Sequence, residues 1–297
     1  MLKKSLSFLN SDNRFLHFIV ILLTVTLLAG CADEKKLERE SKYGFMHAAI
    51  QEKVLYDMND LKITAVALNM LPDSGPTLVL SVENLSEKRY GIKLKNSSVN
   101  GYMIYDDKEY TIPKGFNDNI EVIFNPLALN AAGIVTFTEM NIGFQISEVA
   151  DESLYESDPV IVTTSMYGKY IQKYQFSGSV VINEGGLVIK VASMKQDDAL
   201  FGKQIYIYVE NNTENPISLE TKDVSVNGIE LPHYFIREIG AGKRACEPIT
   251  FHDSDLVTNG VASIDELIMG FKAFSPYGSV VDTQRYKMLF SENEGKA

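Results

Sequence analysis

An internal repeat with an offset of 127 residues constrains this chain more than any other feature. The stretch VENLSEKRYGIKLKNSSVNG begins at Val82, and VENNTENPISLETKDVSVNG begins at Val209. Carried forward without a gap, the same offset aligns Phe124 with Phe251, Leu129 with Leu256, and Gly143-Phe144 with Gly270-Phe271. A register held over this distance indicates the tandem duplication of a whole domain.

The remaining pattern predicts an all-β fold. From Leu61 onward, short apolar runs rich in Val, Ile, Tyr and Phe alternate with a period of two and are separated by turn residues. This pattern is typical of antiparallel sandwiches. We therefore predict two tandem immunoglobulin-like antiparallel β-sandwiches over residues 61–178 and 184–291. They would be joined near residues 177–186, in the stretch FSGSVVINEGG (residues 176–186), and preceded by a charged, partly helical tether over residues 31–60.

The end of the repeated motif predicts a hairpin in each copy. Asn100-Gly101 and Asn227-Gly228 each lie between two apolar runs. Asn-Gly is the strongest short hairpin signal, because a type I′ turn needs a positive φ at both central residues. The second half of the motif is therefore interpreted as turn chemistry.

The start of the motif, Val-Glu-Asn, ends an apolar strand in each copy. We expect Asn84 and Asn211 to hydrogen-bond to the loop that follows, as Asn commonly does where a chain leaves a sheet. The alternative is a paired ligand site at Glu83-Asn84 and Glu210-Asn211. The glycosylation sequons at Asn84, Asn96 and Asn211 are interpreted as coincidental.

The N-terminus predicts a cleaved leader. Lys3, Lys4 and Arg14 precede the apolar run FLHFIVILLTVTLLAG (residues 15–30), which ends in Leu-Ala-Gly-Cys. This run fits a signal peptide and is short for a membrane span. The stretch resembles the lipobox of bacterial lipoproteins. That resemblance implies cleavage after residue 30 and lipidation of Cys31, so the chain would be anchored to the cell membrane on its extracytoplasmic side.

The net charge argues against nucleic-acid binding, and the cysteine content argues against an intramolecular disulfide. The net charge is −11, and cleavage would remove three basic residues and one acidic residue. So acidic a surface is repelled by nucleic acid, and nucleic-acid binding is not expected. With Cys31 lipidated, Cys246 would be the last free thiol, so no intramolecular disulfide is predicted.

Few residues in the two domains could act as a catalytic nucleophile or base. Cys246 and His252 lie six residues apart and could form a nucleophile pair, with His233 nearby. The first copy carries Asp106, Asn119 and Asn125 at the positions equivalent to His233, Cys246 and His252. A cysteine-dependent enzyme therefore stays an alternative, and no catalytic residue, cofactor or metal is assigned.

Acidic loop residues raise the question of calcium. The candidates are Asp106, Asp107, Glu109 and Asp118 in the first copy, and Asp253 and Asp255 in the second. They lack EF-hand spacing and do not occupy matching places in the two copies. They are interpreted as solvated carboxylates. The Tyr-bearing loop Leu231–Phe235 is the first predicted binding surface, although the chain lacks the Trp typical of sugar platforms.

A second resemblance concerns the domains. Strands that end in Asn-rich turns and continue into a Val-Asn-Gly hairpin are similar to small immunoglobulin-like extracellular domains of Gram-positive lipoproteins. That resemblance implies a non-enzymatic extracytoplasmic protein and assigns no binding residue. The predicted function is therefore a binding or envelope-interaction module that meets a protein partner in the cell envelope. A structural spacer that holds a partner off the membrane is the other alternative.

Overall fold

The computed structural model describes residues 43–70, 74–149, 154–191, 202–231, 235–283 and 285–290. The predicted signal peptide, Cys31 and the first part of the predicted tether lie outside these residues. No helix in the described ranges is long and apolar enough to cross a membrane. Both described hydrophobic cores are built from residues at or after Tyr43, so a chain that begins at Ala32 retains them.

The described residues form twenty strands and two short helices, which confirms the all-β prediction. The strands are β1 Lys53–Met58, β2 Leu61–Asn69, β3 Thr77–Asn84, β4 Tyr90–Val99, β5 Tyr102–Ile104, β6 Tyr110–Ile112, β7 Asn117–Ile123, β8 Glu139–Glu148, β9 Leu154–Glu156, β10 Val160–Thr163, β11 Ser179–Glu184, β12 Leu187–Val191, β13 Gly202–Asn211, β14 Ile217–Val226, β15 Ile229–Glu230, β16 Ile236–Ile239, β17 Arg244–His252, β18 Glu266–Ser275, β19 Gly278–Asp282 and β20 Tyr286–Leu289. The helices are α1 Pro126–Ala131 and α2 Asp253–Thr258.

The first repeat is a sandwich of two sheets. One sheet has the strand order β1-β2-β3-β7, and the other has the order β10-β8-β4-β5, with β6 beside β4 and β9 beside β8. The alternating residues of β2 and β3 point their buried side chains into a core shared with β4 and β8. Period-two alternation in the sequence thus becomes the buried face of each sheet.

The second repeat has the same strand order in its own two sheets. β11-β12-β13-β17 corresponds to β1-β2-β3-β7, and β15-β14-β18-β19, with β16 and β20, corresponds to the second sheet. Strands β4 and β14, helices α1 and α2, and strands β8 and β18 begin and end at positions 127 apart. The sequence offset is therefore also the offset of the structure over these elements.

Even the irregularities of the sheets are duplicated. The β4–β8 register shifts between Lys95 and Ser98, and the β14–β18 register shifts between Lys222 and Ser225. Inside these bulges Asn96 has φ 53° and Asp223 has φ 51°. Asn and Asp tolerate this left-handed conformation better than other residues with a side chain, which explains their presence at the bulge.

Two predicted boundaries need correction. Strand β1 lies within the predicted tether, and the described residues 43–60 contain no helix. The period of two is hidden in β1 because a bulge between Val54 and Tyr56 makes Leu55 and Tyr56 consecutive buried residues. Strand β11 lies within the predicted linker, where most of its side chains are exposed. Both edge strands therefore lack the alternation that marks the central strands.

A further difference is that the two sandwiches share a sheet. Strand β5 of the first repeat pairs in parallel with β17 of the second through one residue pair, Tyr102 with Arg244. The Arg244 backbone N–H donates to the Gly101 carbonyl at 2.9 Å. This bridge joins four strands of the second repeat to the β4–β8 sheet of the first and produces one ten-stranded sheet.

Candidate binding cleft

Asn84 and Asn211 fasten the loop that follows each strand. The Asn84 amide donates to the carbonyls of Lys88 and Pro113, both at 2.9 Å, and its oxygen accepts from the Ser86 N–H and hydroxyl. The side chain is fully buried. Because the side chain is buried and its amide N–H₂ and oxygen are both hydrogen-bonded within the protein, Asn84 is not accessible to a ligand or a glycan.

The second copy repeats this network. Asn211 donates to the carbonyls of Asn215 at 2.8 Å and Gly240 at 3.1 Å, and it accepts from the Thr213 N–H and hydroxyl. It is also fully buried. The Ser or Thr two residues after each Asn, which creates the sequon, serves to complete the loop.

The Asn-Gly pairs form tight turns and also tie each hairpin to a distant segment. Asn100 and Gly101 have φ 48° and 80°, and Asn227 and Gly228 have φ 50° and 80°. The Asn100 amide donates to the Thr136 carbonyl at 2.8 Å, and its oxygen accepts from the Thr138 N–H at 2.7 Å. Asn227 makes the equivalent bonds to Ser263 and Asp265. Asn therefore stabilises both the turn and the entry to β8 or β18.

Cys246 and His252 do not form a catalytic pair. They lie near opposite ends of the extended strand β17, so their backbones are about 20 Å apart. Cys246 is buried, and burial, with a smaller contribution from Glu247, raises the pKa of its thiol to about 12. The thiol is therefore protonated at neutral pH and is a poor nucleophile. His233 and the centre of the Leu231–Phe235 loop lie outside the described residues.

The acidic residues are scattered rather than clustered. Within the described ranges, no group of three or more His, Cys, Asp or Glu side chains is arranged to hold a metal ion. Asp106 and Asp118 accept bonds from the nearby backbone N–H groups of Lys108 and Asn119. Asp253 and Asp255 occupy the first turn of α2, where a negative charge is favourable.

The two repeats meet through an aromatic cluster on one side of the shared sheet. The Tyr102 ring lies 5.6 Å from that of Tyr174 and 6.2 Å from that of Tyr208, and Phe176 stacks on Tyr208 at 5.3 Å. The Arg244 guanidinium lies 3.9 Å from the Tyr174 ring centroid. Tyr174 and Phe176 come from the segment between the repeats, so this segment packs on the junction and helps to hold it.

A charged network holds the junction on the other side. Lys95 of the first repeat pairs with Glu238 at 2.9 Å, and the Tyr105 hydroxyl donates to the Glu238 carbonyl at 2.9 Å. Arg237 lies over the Tyr105 ring and pairs with Glu247, with 3.2 Å between Nε and Oε2. Burial raises the pKa of Glu247 to about 7, even though Arg237 favours the charged form.

A cleft of about 200 Å³ opens beside the Tyr102–Arg244 pair, between β5, β17 and α1. Pro248 has no N–H and cannot extend the parallel pairing of β17 to β5. The surface of the cleft is about half polar and half apolar, and both repeats contribute to it. The lining residues are Tyr102, Met103, Ile104, Tyr105, Asn125, Leu127, Ala128, Leu129, Ala132, Ile134, Gln204, Tyr206, Cys246, Glu247 and Pro248.

One polar atom at this cleft stands out. The hydroxyl of Tyr102 is buried and makes no hydrogen bond of regular geometry to the described residues, although the side chain of Tyr208 lies near it. Burial, followed by the nearby Cys246, raises the pKa of this phenol, so it remains a neutral donor at physiological pH. A buried donor without an acceptor costs about 1–3 kcal/mol. An acceptor placed in the cleft within reach of this hydroxyl would recover that free energy.

The residues of the junction differ from their counterparts in the other repeat. At the offset of 127, Tyr102, Tyr206, Arg237, Cys246 and Glu247 correspond to Ile229, Val79, Tyr110, Asn119 and Ile120. Part of this divergence follows from packing, because β17 is covered by the first repeat whereas β7 is an edge strand. Sequence reasoning missed Arg237 and Glu247. A comparison of the two copies could have found them, as positions where an aromatic or apolar residue is replaced by a charged one.

Comparisons with known proteins add little. No protein-family model matches the chain, and no curated protein matches it. A solved structure of a protein of unknown function from Porphyromonas gingivalis W83 is similar over 71% of this chain and 89% of its own, at 12% identity and a TM-score of 0.20. A bacterial ice-binding adhesin of 1.5 MDa, described as retained at the host cell surface, is similar over 71% of this chain and 54% of the solved chain, at 13% identity and a TM-score of 0.18. Similarity at this level says nothing about the ligand of this chain.

Proposed function

We propose that this chain is a lipid-anchored extracytoplasmic binding protein, without enzymatic activity, whose binding site is the cleft between its two immunoglobulin-like repeats. The observation that carries the proposal is the cleft itself. It is lined by both repeats, and apart from Leu129 its lining residues differ from their counterparts at the offset of 127. The copies share the bounds of β4 and β14, α1 and α2, and β8 and β18, and they share the Asn-Gly turns, whereas the cleft exists only where the two copies meet.

The chemistry of the cleft favours binding over catalysis. The Cys246 thiol is protonated and distant from His252 in the strand. Glu247 is paired with Arg237, which leaves it poorly placed to accept a proton from a substrate. The apolar side chains of the cleft can bury part of a small molecule, and its polar groups can orient that molecule.

The location of the protein is proposed from its N-terminal sequence. The positive leader, the apolar run and the Leu-Ala-Gly-Cys ending support lipidation at Cys31 and an extracytoplasmic position. Metabolic labelling with a palmitate analogue tests this. The chain should label and sediment with membranes, and Cys31→Ser should abolish both. A Cys31→Ser variant that still labels overturns the anchor.

Capture experiments test the binding function. A soluble chain that begins at Ala32 is used to capture ligands and proteins from envelope extracts, beside Leu127→Trp. Leu127 is exposed at the cleft, so a larger side chain there narrows the cleft without entering the core. Ser254→Trp is the matched control, because it changes the equivalent exposed position of α2 away from the cleft. Binding that Leu127→Trp removes and Ser254→Trp keeps supports the proposal. Capture that neither variant changes favours a spacer that holds its partner elsewhere.

A further inference from the structure

The volume of the inter-repeat cleft limits what can occupy it. An engineered protein cavity of about 150 Å³ is large enough to bind benzene. The cleft, at about 200 Å³, therefore accommodates one ring with a short substituent. A strand of peptide or an oligosaccharide is much larger than this volume.

The charge balance of the cleft argues against an ionic ligand. Glu247 is the ionisable carboxyl group among the lining residues, and its charge is offset by Arg237 at 3.2 Å. A charged ligand would lose its hydration on entry and find no unpaired opposite charge among the lining residues. Arg244 lies beside the cleft and already faces Glu210, with 3.8 Å between Nε and Oε1. A neutral ligand avoids this penalty, and the apolar side chains of Met103, Ile104 and Ala132 favour it.

The unpaired Tyr102 hydroxyl supplies the remaining requirement. It is a buried donor of a residue that lines the cleft, and it makes no hydrogen bond of regular geometry to the described residues. A ligand with a hydrogen-bond acceptor, such as an amide or ketone oxygen, would satisfy it. The adjacent rings of Tyr174 and Tyr208 hold the Tyr102 side chain in place, so the donor is already oriented before a ligand arrives.

From these observations we infer that the cleft binds a small, uncharged compound built on a single ring, whose acceptor atom receives a hydrogen bond from Tyr102. This inference rests on the proposed function, because it names the class of ligand that the same cleft takes. It is independent of the identity of any protein partner in the envelope.

Three probes of similar size test the ligand class on the soluble chain that begins at Ala32. Benzamide is neutral with an acceptor, toluene is neutral without one, and benzoate is charged. Binding is measured by isothermal titration calorimetry and by ligand-observed NMR. Benzamide should bind more tightly than toluene, and benzoate should bind at least about tenfold more weakly than benzamide. Leu127→Trp should weaken all binding, and Ser254→Trp should not.

Tyr102→Phe isolates the hydrogen bond. The hydroxyl makes no hydrogen bond of regular geometry to the described residues, so its removal should leave the fold intact. Benzamide affinity should fall about five- to tenfold while toluene affinity is unchanged. Tyr90→Phe is the control, because Tyr90 is a buried tyrosine that does not line the cleft. Equal losses for both probes, or no loss for benzamide, overturn the role of Tyr102.

The outcomes separate this inference from the proposed function. If none of the probes binds while Leu127→Trp still blocks capture from extracts, the ligand class is wrong and the binding function stands. If the probes bind as expected while capture shows no dependence on Leu127, the ligand class stands and a protein partner at the cleft is ruled out. If neither assay shows binding at the cleft, both proposals fail.

Discussion

The Arg237 guanidinium donates to the Glu247 carboxylate across the second repeat, with 3.2 Å between Nε and Oε2, while its planar face lies over the Tyr105 ring of the first repeat. A single side chain thus contacts the two sheets of one sandwich and the neighbouring sandwich. Glu247 is 12% exposed, so its charge depends on this one partner. The pair links the ionisation of a buried carboxyl group to the junction between the repeats.

Glu247 should make stability depend on pH. Its pKa of about 7 in the folded chain lies above the ordinary value of 4.5, so the folded state holds this proton between those two pH values. The free energy of unfolding should therefore fall as the pH rises through this window. When the pH is raised from about 4.5 to about 8, the free energy of unfolding of Glu247→Gln should fall by about 1–3 kcal/mol less than that of the parent chain. Urea unfolding at the two pH values measures this, and equal losses in both proteins would contradict it.

Cys246 should resist alkylation in the folded protein. The thiol is buried and its pKa is raised to about 12, so very little thiolate exists near neutral pH. In a chain that begins at Ala32, Cys246 is the one cysteine present. Iodoacetamide should modify it more than about 100-fold slower in the native state than in urea, followed by mass spectrometry. Rapid native modification would show that the thiol is accessible.

Replacing either buried loop asparagine with alanine should destabilise its repeat. Asn84→Ala and Asn211→Ala each leave buried backbone carbonyls and N–H groups without their partner. We expect a loss of about 2–4 kcal/mol in the free energy of unfolding for each, measured by urea denaturation. Asn119→Ala, on an exposed side chain of β7, is the control and should cost less than about 0.5 kcal/mol. A loss at Asn84 or Asn211 no larger than the control would refute a structural role.

The two Asn-Gly turns allow a matched comparison. Gly101 and Gly228 both have φ 80°, where a side chain is strained, so alanine at either position should cost about 1 kcal/mol. A Cβ at Gly228 meets open space, whereas a Cβ at Gly101 comes within 3.3 Å of the Tyr174 hydroxyl. Gly101→Ala should therefore be the more destabilising in thermal unfolding. The reverse order would mean that Tyr174 does not pack on the turn as described.

The central strands could be predicted from sequence because their own residues encode them. The alternation of β2, β3, β4 and β8 and the Asn-Gly pairs are local signals that survive in the fold. Strand β1 was missed because its bulge places Leu55 and Tyr56 on the buried side in succession. Strand β11 was missed because its exposed edge carries no buried stripe. Lipidation of Cys31 stays a prediction.

The candidate site was largely outside the reach of sequence reasoning. Cys246 and His252 are close in number, but an extended strand separates residues six apart, so nearness in sequence was misleading. Conversely, Tyr105 and Arg237 are far apart in number and meet only because the repeats pack together. The pairing of Glu247 with Arg237 depends on tertiary geometry that no local pattern carries. The sequence signal that could have indicated this position is the replacement of an apolar residue, Ile120, by a charged one, Glu247, at the equivalent position of the second repeat.

The one-residue bridge between β5 and β17 has a mechanical consequence. Within the second repeat, β13 and β17 are joined by nine residue pairs, whereas among the described residues the backbone pairing between the repeats consists of the pair Tyr102 and Arg244 alone. Tension that pulls the repeats apart therefore acts on one backbone pair and on the side-chain contacts of the junction, not on a long ladder of backbone hydrogen bonds. The repeats should part there while each remains folded, so the protein lengthens in a first, reversible step under small forces. The cleft lies at this joint, so its walls, which come from both repeats, would separate in the same step.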